Sequence, residues 1–127
     1  MEWKFRGDLP IYSQLVERIK QGIVSGELPP GGRLPAVREL AMEAGVNPNT
    51  MQRALQELER EGIVYSQRTA GRFVTEDALV IERAKKALAG EHVRVFLEGM
   101  EKLGYGREEI QDLLKEEKEE KHGDSGM

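Results

Sequence analysis

The segment from Leu34 to Glu59 constrains the fold of this chain more strongly than any other segment. Gly45 separates two amphipathic stretches, and glycine is the residue that most readily ends one helix before the next begins. The second stretch has apolar side chains at helical spacing, at Met51, Ala54, Leu55 and Leu58. Its outward side chains are Asn49, Gln52, Arg53 and Gln56. Amide and guanidinium groups, in place of a plain mixture of Glu and Lys, are typical of a helix that hydrogen-bonds phosphates and base edges. The segment therefore predicts a helix-turn-helix.

A third helix is predicted before this segment. Apolar side chains at helical spacing run through residues 10–25, and Asp8 lies just ahead as a candidate N-cap. Within the helix-turn-helix, the sequence predicts one helix from Ala36 to Glu43. The next begins at Asn47, a good N-cap followed by proline, and stops at Gly62.

Two short strands are predicted after these helices, over residues 63–66 and 72–75, with a hairpin tip over residues 67–71. Three helices followed by a hairpin are the layout of a winged helix-turn-helix. Arg68 and Arg72 lie near the tip, where they can touch backbone phosphates or a minor groove.

The chain from residue 77 onward is predicted to be helical in two or three pieces, over residues 78–88, 93–103 and 107–120. Residues 121–127 are small and polar, and we expect them to be disordered. The fold class is thus mainly α with a small β-hairpin. We divide the chain into a winged helix-turn-helix domain over residues 1–76, a helical region over residues 77–120 and a tail over residues 121–127.

The amino-acid composition excludes several kinds of functional site. A chain of 127 residues suits one compact domain with a small appendage. The absence of cysteine excludes disulfides, thiolate metal sites and cysteine nucleophiles. We find no signal peptide and no apolar run long enough to span a membrane, so we expect a cytoplasmic protein without membrane contact. No nucleophile stands beside a base and the two histidines are isolated, so we expect no enzyme activity, no metal and no cofactor.

The net charge of −4 is unusual for a nucleic-acid-binding protein, which commonly has a basic face. The positions of the charges decide the question, however, and five arginines of the first domain can still converge on one face: Arg33, Arg38, Arg53, Arg68 and Arg72. The acidic balance leaves an alternative open, in which the winged helix is a protein-interaction module that contacts its partner through the acidic tail.

Six short motifs in sequence order resemble the GntR type of bacterial transcription regulator. They are Pro10-Ile11-Tyr12, residues 23–31, Leu34-Pro35 through Leu40-Ala41, residues 46–50, residues 58–62 and residues 71–74. Together they cover roughly residues 9–76. Only about fifty residues follow the hairpin, and this short helical tail resembles the YtrA-like branch of the family. The resemblance implies a sequence-specific regulator, usually a repressor, whose targets often include transporter operons.

The resemblance also implies which residues contact double-stranded DNA. They are Arg38 in the second helix, the residues Asn47, Asn49, Thr50, Gln52 and Arg53 at the start of the third helix, and Gly71 with its neighbours in the wing. Two positions depart from the family pattern: Pro48 replaces a basic residue, and Thr69 replaces a frequent glycine. Base readout is therefore expected to rest on Asn49, Gln52 and Arg53.

Several of these residues also fit a purely structural role. Arg38 can pair with Glu39 or Glu43 on a solvated helix face, and capping alone accounts for Asn47. Trp3 and Phe5 form an aromatic pair outside the helix pattern, for which we expect core packing against the first helix or the C-terminal arm; the alternative is part of an intersubunit contact.

An apolar stripe in the tail predicts self-association. Its members are Val93, Phe96, Leu97 and Met100. Because two or three short helices cannot bury all their apolar faces alone, we expect this stripe to form a homodimer interface. The resemblance likewise implies a tail that serves dimerisation. A two-fold dimer predicts a palindromic operator with half-sites about one helical turn apart. The sequence does not specify a small-molecule effector.

Overall fold

The computed structural model describes residues 1–125, with side chains described up to residue 117. The elements in this range are α1 (Ile11–Val24), α2 (Val37–Ala44), α3 (Pro48–Arg60), β1 (Val64–Gln67), β2 (Gly71–Val74), α4 (Ala78–Lys102) and α5 (Arg107–Ser125). The predicted fold class is confirmed, because three helices and an antiparallel hairpin precede a helical tail.

The first compact unit extends from Met1 to Leu88 and surrounds one apolar core. Helices α1 and α3 contribute most of its fully buried side chains, and the four apolar residues predicted to face inward on α3 are all inaccessible to solvent: Met51, Ala54, Leu55 and Leu58. Burial of each large apolar side chain stabilises the folded protein by roughly 1.5–3 kcal/mol. The core therefore fixes α3 by its apolar face and leaves its polar side outside the core.

The turn between α2 and α3 has the predicted chemistry. Gly45 ends α2 in the left-handed conformation with φ of 71°, which favours glycine because a side chain there is strained. The Asn47 side chain then accepts a hydrogen bond from the Asn49 backbone N–H at 2.8 Å, and Pro48 occupies the first helical position. These local signals set where α3 begins.

The predicted cap of α1 was wrong. Pro10 is the N-cap residue and provides no side-chain hydrogen bond. Asp8 lies two residues too early to reach the helix, and it accepts hydrogen bonds from the Arg6 guanidinium instead. The Gln14 side chain ties this segment down by bonding the backbone of Arg6 and of Leu9.

The strands of the wing extend one residue closer to its tip than predicted, because they pair from Val64↔Val74 to Gln67↔Gly71. The loop ahead of α2 also runs along β2. The Gly31 N–H bonds the Val74 carbonyl, the Val74 N–H bonds the Gly32 carbonyl, and the Leu34 N–H bonds the Arg72 carbonyl, each at 2.9 Å. The wing is therefore fastened to the start of the helix-turn-helix.

Helix α4 is continuous, whereas the sequence predicted a break between residues 88 and 93. Gly90 lies inside the helix, and a glycine there costs only about 1 kcal/mol relative to alanine. That amount is too small to interrupt a helix whose other residues favour it.

The second compact unit begins at Ala89, inside α4, and the predicted domain boundary at residue 76 stays a prediction. Its helix α5 extends to Ser125. The disorder predicted for residues 121–127 stays a prediction. Gly126 and Met127 lie outside the described residues, and His122 lies outside the described side chains. No helix in the described part of the chain is long and apolar enough to cross a membrane.

Candidate nucleic-acid interface

The polar side of α3 is the central feature of the candidate interface. Asn49, Gln52, Arg53 and Gln56 follow one another at intervals of three and four residues and thus share one face of the helix. Asn49, Arg53 and Gln56 are exposed, whereas Gln52 and the neighbouring Thr50 are half-buried. The structure therefore brings the sequence-predicted residues of α3 together on one accessible stripe.

Arg53 has a partner that the sequence did not predict. Its guanidinium carbon lies 4.2 Å from the centre of the Tyr12 ring in α1, a cation–π geometry. The sequence places Tyr12 in the apolar stripe of α1 and in the first family motif, and neither predicts a contact with Arg53. The contact depends on how α1 packs on α3, so no local pattern in the sequence could have revealed it.

Arg38 lies exposed in the first turn of α2. Among the described side chains it has no hydrogen-bond or ion-pair partner, so pairing with Glu39 or Glu43 does not explain it. Glu43 instead accepts hydrogen bonds from the Trp3 indole and the Met1 amino group. Arg38 thus presents a positive charge that no described side chain neutralises.

Trp3 and Phe5 stack on each other with ring centres 6.2 Å apart. Both are half-buried and pack against the core of the first unit, as predicted.

Arg72 does not extend from the tip of the wing. Its side chain is only 18% exposed, and its Nε donates to Glu59 Oε1 on α3. Ser66, its cross-strand partner, donates its hydroxyl to the same carboxylate oxygen. Partial burial raises the pKa of the Glu59 carboxyl, but the hydrogen bonds from Ser66 and Arg72 lower it by more, so the pKa lies below its ordinary value. The three side chains join the wing to α3.

Near the tip of the wing, the exposed residues include Arg68 and Thr69 in the turn and Gly71 at the start of β2, where φ is 105°. The exposed side chain of Arg33 lies against Gly71. The sequence identifies Arg33 as one of five arginines that can share a face but does not predict it as a site residue, because only the pairing of its loop with β2 brings it to the wing.

The stripe predicted for dimerisation is accessible in a single chain. Val93 is 54% and Phe96 is 41% exposed, while Leu97 and Met100 are half-buried. None of the 25 residues of α4 is buried. Other apolar side chains of the second unit are exposed as well, at Val95, Leu103 and Leu114.

The family model for bacterial regulatory proteins of the gntR family matches residues 11–74, from α1 to the end of β2. The HTH-type transcriptional regulator YhcF of Bacillus subtilis (strain 168) is 40% identical over 91% of this chain and 95% of its own length. The HTH-type transcriptional repressor YtrA of the same organism is 34% identical over 87% of this chain and 86% of its own.

Two solved structures are also similar to this chain. A GntR family transcriptional regulator from Listeria monocytogenes superposes with a TM-score of 0.82 at 40% identity, covering 88% of this chain and 98% of its own. A crystal structure of AraR(DBD) in complex with operator ORX1 superposes with a TM-score of 0.54 at 32% identity, covering 59% of this chain and 96% of that one.

Proposed function

Since the chain belongs to the GntR family of bacterial regulatory proteins, we propose that this transcription regulator represses its targets by binding a palindromic operator as a homodimer. The observation that supports this function best is the accessible polar stripe of α3, held rigid by a core in which the opposite face of the helix is fully buried. A helix of about this length fits the major groove of B-DNA.

The residues of α3 divide by the chemistry they offer. We assign base contacts to Asn49, Gln52 and Arg53, since amides pair with adenine edges and arginine pairs with guanine. Asn47 and Thr50, at the start of the helix, would bind backbone phosphate, and the Asn47 cap is compatible with that role. The solved complex of AraR(DBD) with its operator supports this placement by similarity of fold and sequence.

Arg38, Arg68 and Gly71 would bind the DNA backbone on either side of the groove. Arg38 and Arg68 are exposed cations, and the Gly71 backbone is accessible at the wing. Phosphate contacts of this kind supply affinity but no sequence information. Arg72 takes a different role in this proposal: because it pairs with Glu59, it holds the wing in position for its neighbours.

The homodimer would form through the apolar stripe of α4, at Val93, Phe96, Leu97 and Met100. An exposed apolar surface of this kind on a helix without buried residues marks an interaction site. A palindromic operator with half-sites one helical turn apart would require the two α3 helices of the dimer to enter successive major grooves, about 34–36 Å apart.

Repression in the cytoplasm is the expected mode, because the similar YtrA is a repressor. Blocking a promoter that overlaps the operator requires no catalysis. The likeness to the YtrA-like branch favours a transporter operon as the target.

Fluorescence anisotropy with a labelled duplex from immediately upstream of the protein's own gene tests this function. We expect binding that survives excess nonspecific competitor, and a loss of at least about tenfold in affinity for Arg38→Ala. Arg83→Ala is the matched control, because Arg83 is an exposed arginine of α4 outside the proposed interface.

Equal operator affinity of the wild type and the Arg38→Ala variant would contradict the assignment of Arg38. If the wild type binds neither this duplex nor any member of a randomised DNA pool, the DNA-binding function itself is wrong.

A further inference from the structure

We propose that Arg33, in the loop that precedes α2, is a second phosphate-binding arginine of the wing, beside Arg68. The inference rests on the proposed function, since a phosphate contact requires the wing to lie on DNA. It adds a residue outside the predicted interface, and it gives the wing a cation that belongs to a different segment of the chain.

The backbone of Arg33 is fixed on both sides. Val74 pairs with the loop through Gly31 and Gly32, and the Leu34 N–H bonds the Arg72 carbonyl at 2.9 Å. Between these bonds, Arg33 forms an antiparallel bridge with Phe73 of β2. Arg33 therefore lies alongside the two-stranded wing, through one isolated bridge, although more than thirty residues of chain separate it from β2.

The side chain of Arg33 lies along the wing toward its tip. A Cβ added to Gly71 would lie 3.2 Å from Arg33 Nε, closer than an ordinary van der Waals contact. The missing side chain at Gly71 thus leaves the space that the guanidinium uses. Gly71 is paired with Gln67 at the last position before the turn, so this guanidinium lies beside the turn that contains Arg68.

Arg33 and Arg72 differ in whether their positive charge is free to bind a DNA phosphate. Arg72 is largely enclosed, and its charge is neutralised by Glu59. Arg33 is exposed and has no ion-pair partner among the described side chains. A cation that is already paired with a carboxylate releases few counterions from DNA. An unpaired and exposed cation releases its full share when it binds a phosphate.

An arginine suits this position for a chemical reason. The planar guanidinium presents a fork of donors that can bind two oxygens of one phosphate, and the contact with Gly71 restricts its freedom before DNA arrives. The ligand is therefore a backbone phosphate of the operator next to the wing. The contact would raise affinity for all sequences rather than select a base.

The salt dependence of DNA binding tests the proposal, because the slope of log K against log[salt] falls by about one for each phosphate contact that is lost. We would measure it by anisotropy between 50 and 200 mM salt (about the range in which such slopes are resolved) for the wild type and for Arg33→Ala, Arg33→Lys, Arg72→Ala and Arg83→Ala. The duplex would be one that the wild type selects from a randomised pool. Thermal melts would establish that each variant is folded.

We expect Arg33→Ala to lower the slope by about one and the affinity at low salt by about tenfold, equally on the selected duplex and on a scrambled one. Arg33→Lys retains the charge and should keep the slope. Arg83→Ala, which removes an arginine outside the interface, should leave both quantities near the wild-type values. Arg72→Ala should lower the melting temperature with a smaller change in slope than Arg33→Ala.

If the salt slope of Arg33→Ala equals that of the wild type, the inference is overturned and the proposed function is unaffected. If the salt slope falls in Arg72→Ala but not in Arg33→Ala, the inference is also overturned, and Arg72 is the arginine that contacts phosphate. A wild-type protein that selects no duplex would overturn the proposed function, and this inference with it.

Discussion

Arg53 lies on the polar stripe of α3 and over the ring of Tyr12, so its side chain is oriented before any DNA arrives. A guanidinium that is already placed loses less conformational entropy on binding than a free one. Tyr12 is half-buried and belongs to a helix that supplies much of the core. The effect of Tyr12 on DNA binding would therefore be indirect, through the position of Arg53.

Substitutions of Tyr12 test whether its contact with Arg53 contributes to DNA binding. We expect Tyr12→Phe to keep operator affinity, because the aromatic face remains, and Tyr12→Leu to lower it about two- to fivefold, the equivalent of roughly 0.5–1 kcal/mol. Anisotropy with the operator duplex measures the ratio, and the double variant Tyr12→Leu with Arg53→Ala is the control. If Tyr12→Leu weakens binding as much without Arg53 as with it, the coupling between the two residues does not exist.

Among the secondary-structure elements, the polar contact between the wing and α3 centres on one carboxylate, in addition to the apolar packing of Val64 and Val74 in the core. Glu59 receives hydrogen bonds from Ser66 of β1 and Arg72 of β2, and both strands are thereby tied to the helix. Because these bonds favour the ionised form, the pKa of Glu59 is lower in the folded protein than in the unfolded chain. A lowered folded-state pKa gives stability that is present above the unfolded value, roughly pH 4, and is lost as the pH falls through the folded value.

The Glu59→Gln variant should show this dependence. We expect it to be less stable than the wild type at pH 7 by about 1 kcal/mol, and to lose less stability than the wild type when the pH falls from about 5 to 3. Urea unfolding at several pH values measures both differences. Parallel stability curves for the two proteins would show that Glu59 does not contribute in this way.

The sequence predicts those features of the elements that arise from local interactions. The start of α3 was predictable because Asn47 and Pro48 act locally, through a side-chain cap and a fixed backbone angle. The continuity of α4 was not, since Gly90 is a typical break signal whose small cost the rest of the helix outweighs. The partners of Arg33 and Arg72 could not be predicted because both contacts join segments that are distant in sequence, through strand pairing and through the packing of the wing on α3.

For the whole molecule, the exposed stripe on α4 is the feature that a single chain leaves unexplained. Phe96 lies near its middle and is 41% exposed. A charge at this position would have to be buried in a dimer without a partner, which is strongly unfavourable. Two-fold assembly and operator affinity should therefore be lost together.

The Phe96→Asp variant should sediment as a monomer at concentrations where the wild type is a dimer, and it should bind the operator at least about tenfold more weakly because it loses the second half-site. Gln111→Asp, at an exposed position of α5, adds the same charge outside the stripe and should remain dimeric. Sedimentation equilibrium distinguishes the two outcomes. A dimeric Phe96→Asp variant would place the interface elsewhere.

The claim that α3 reads DNA sequence as part of a symmetric dimer is tested most directly by selecting duplexes from a randomised pool with the wild type and with Arg53→Ala. We expect the wild type to enrich a palindrome with half-sites about 10–10.5 base pairs apart. Arg53→Ala should relax the preference at one symmetric pair of positions. Enrichment of no motif by the wild type, or of the same motif with undiminished preference by the variant, would contradict the claim.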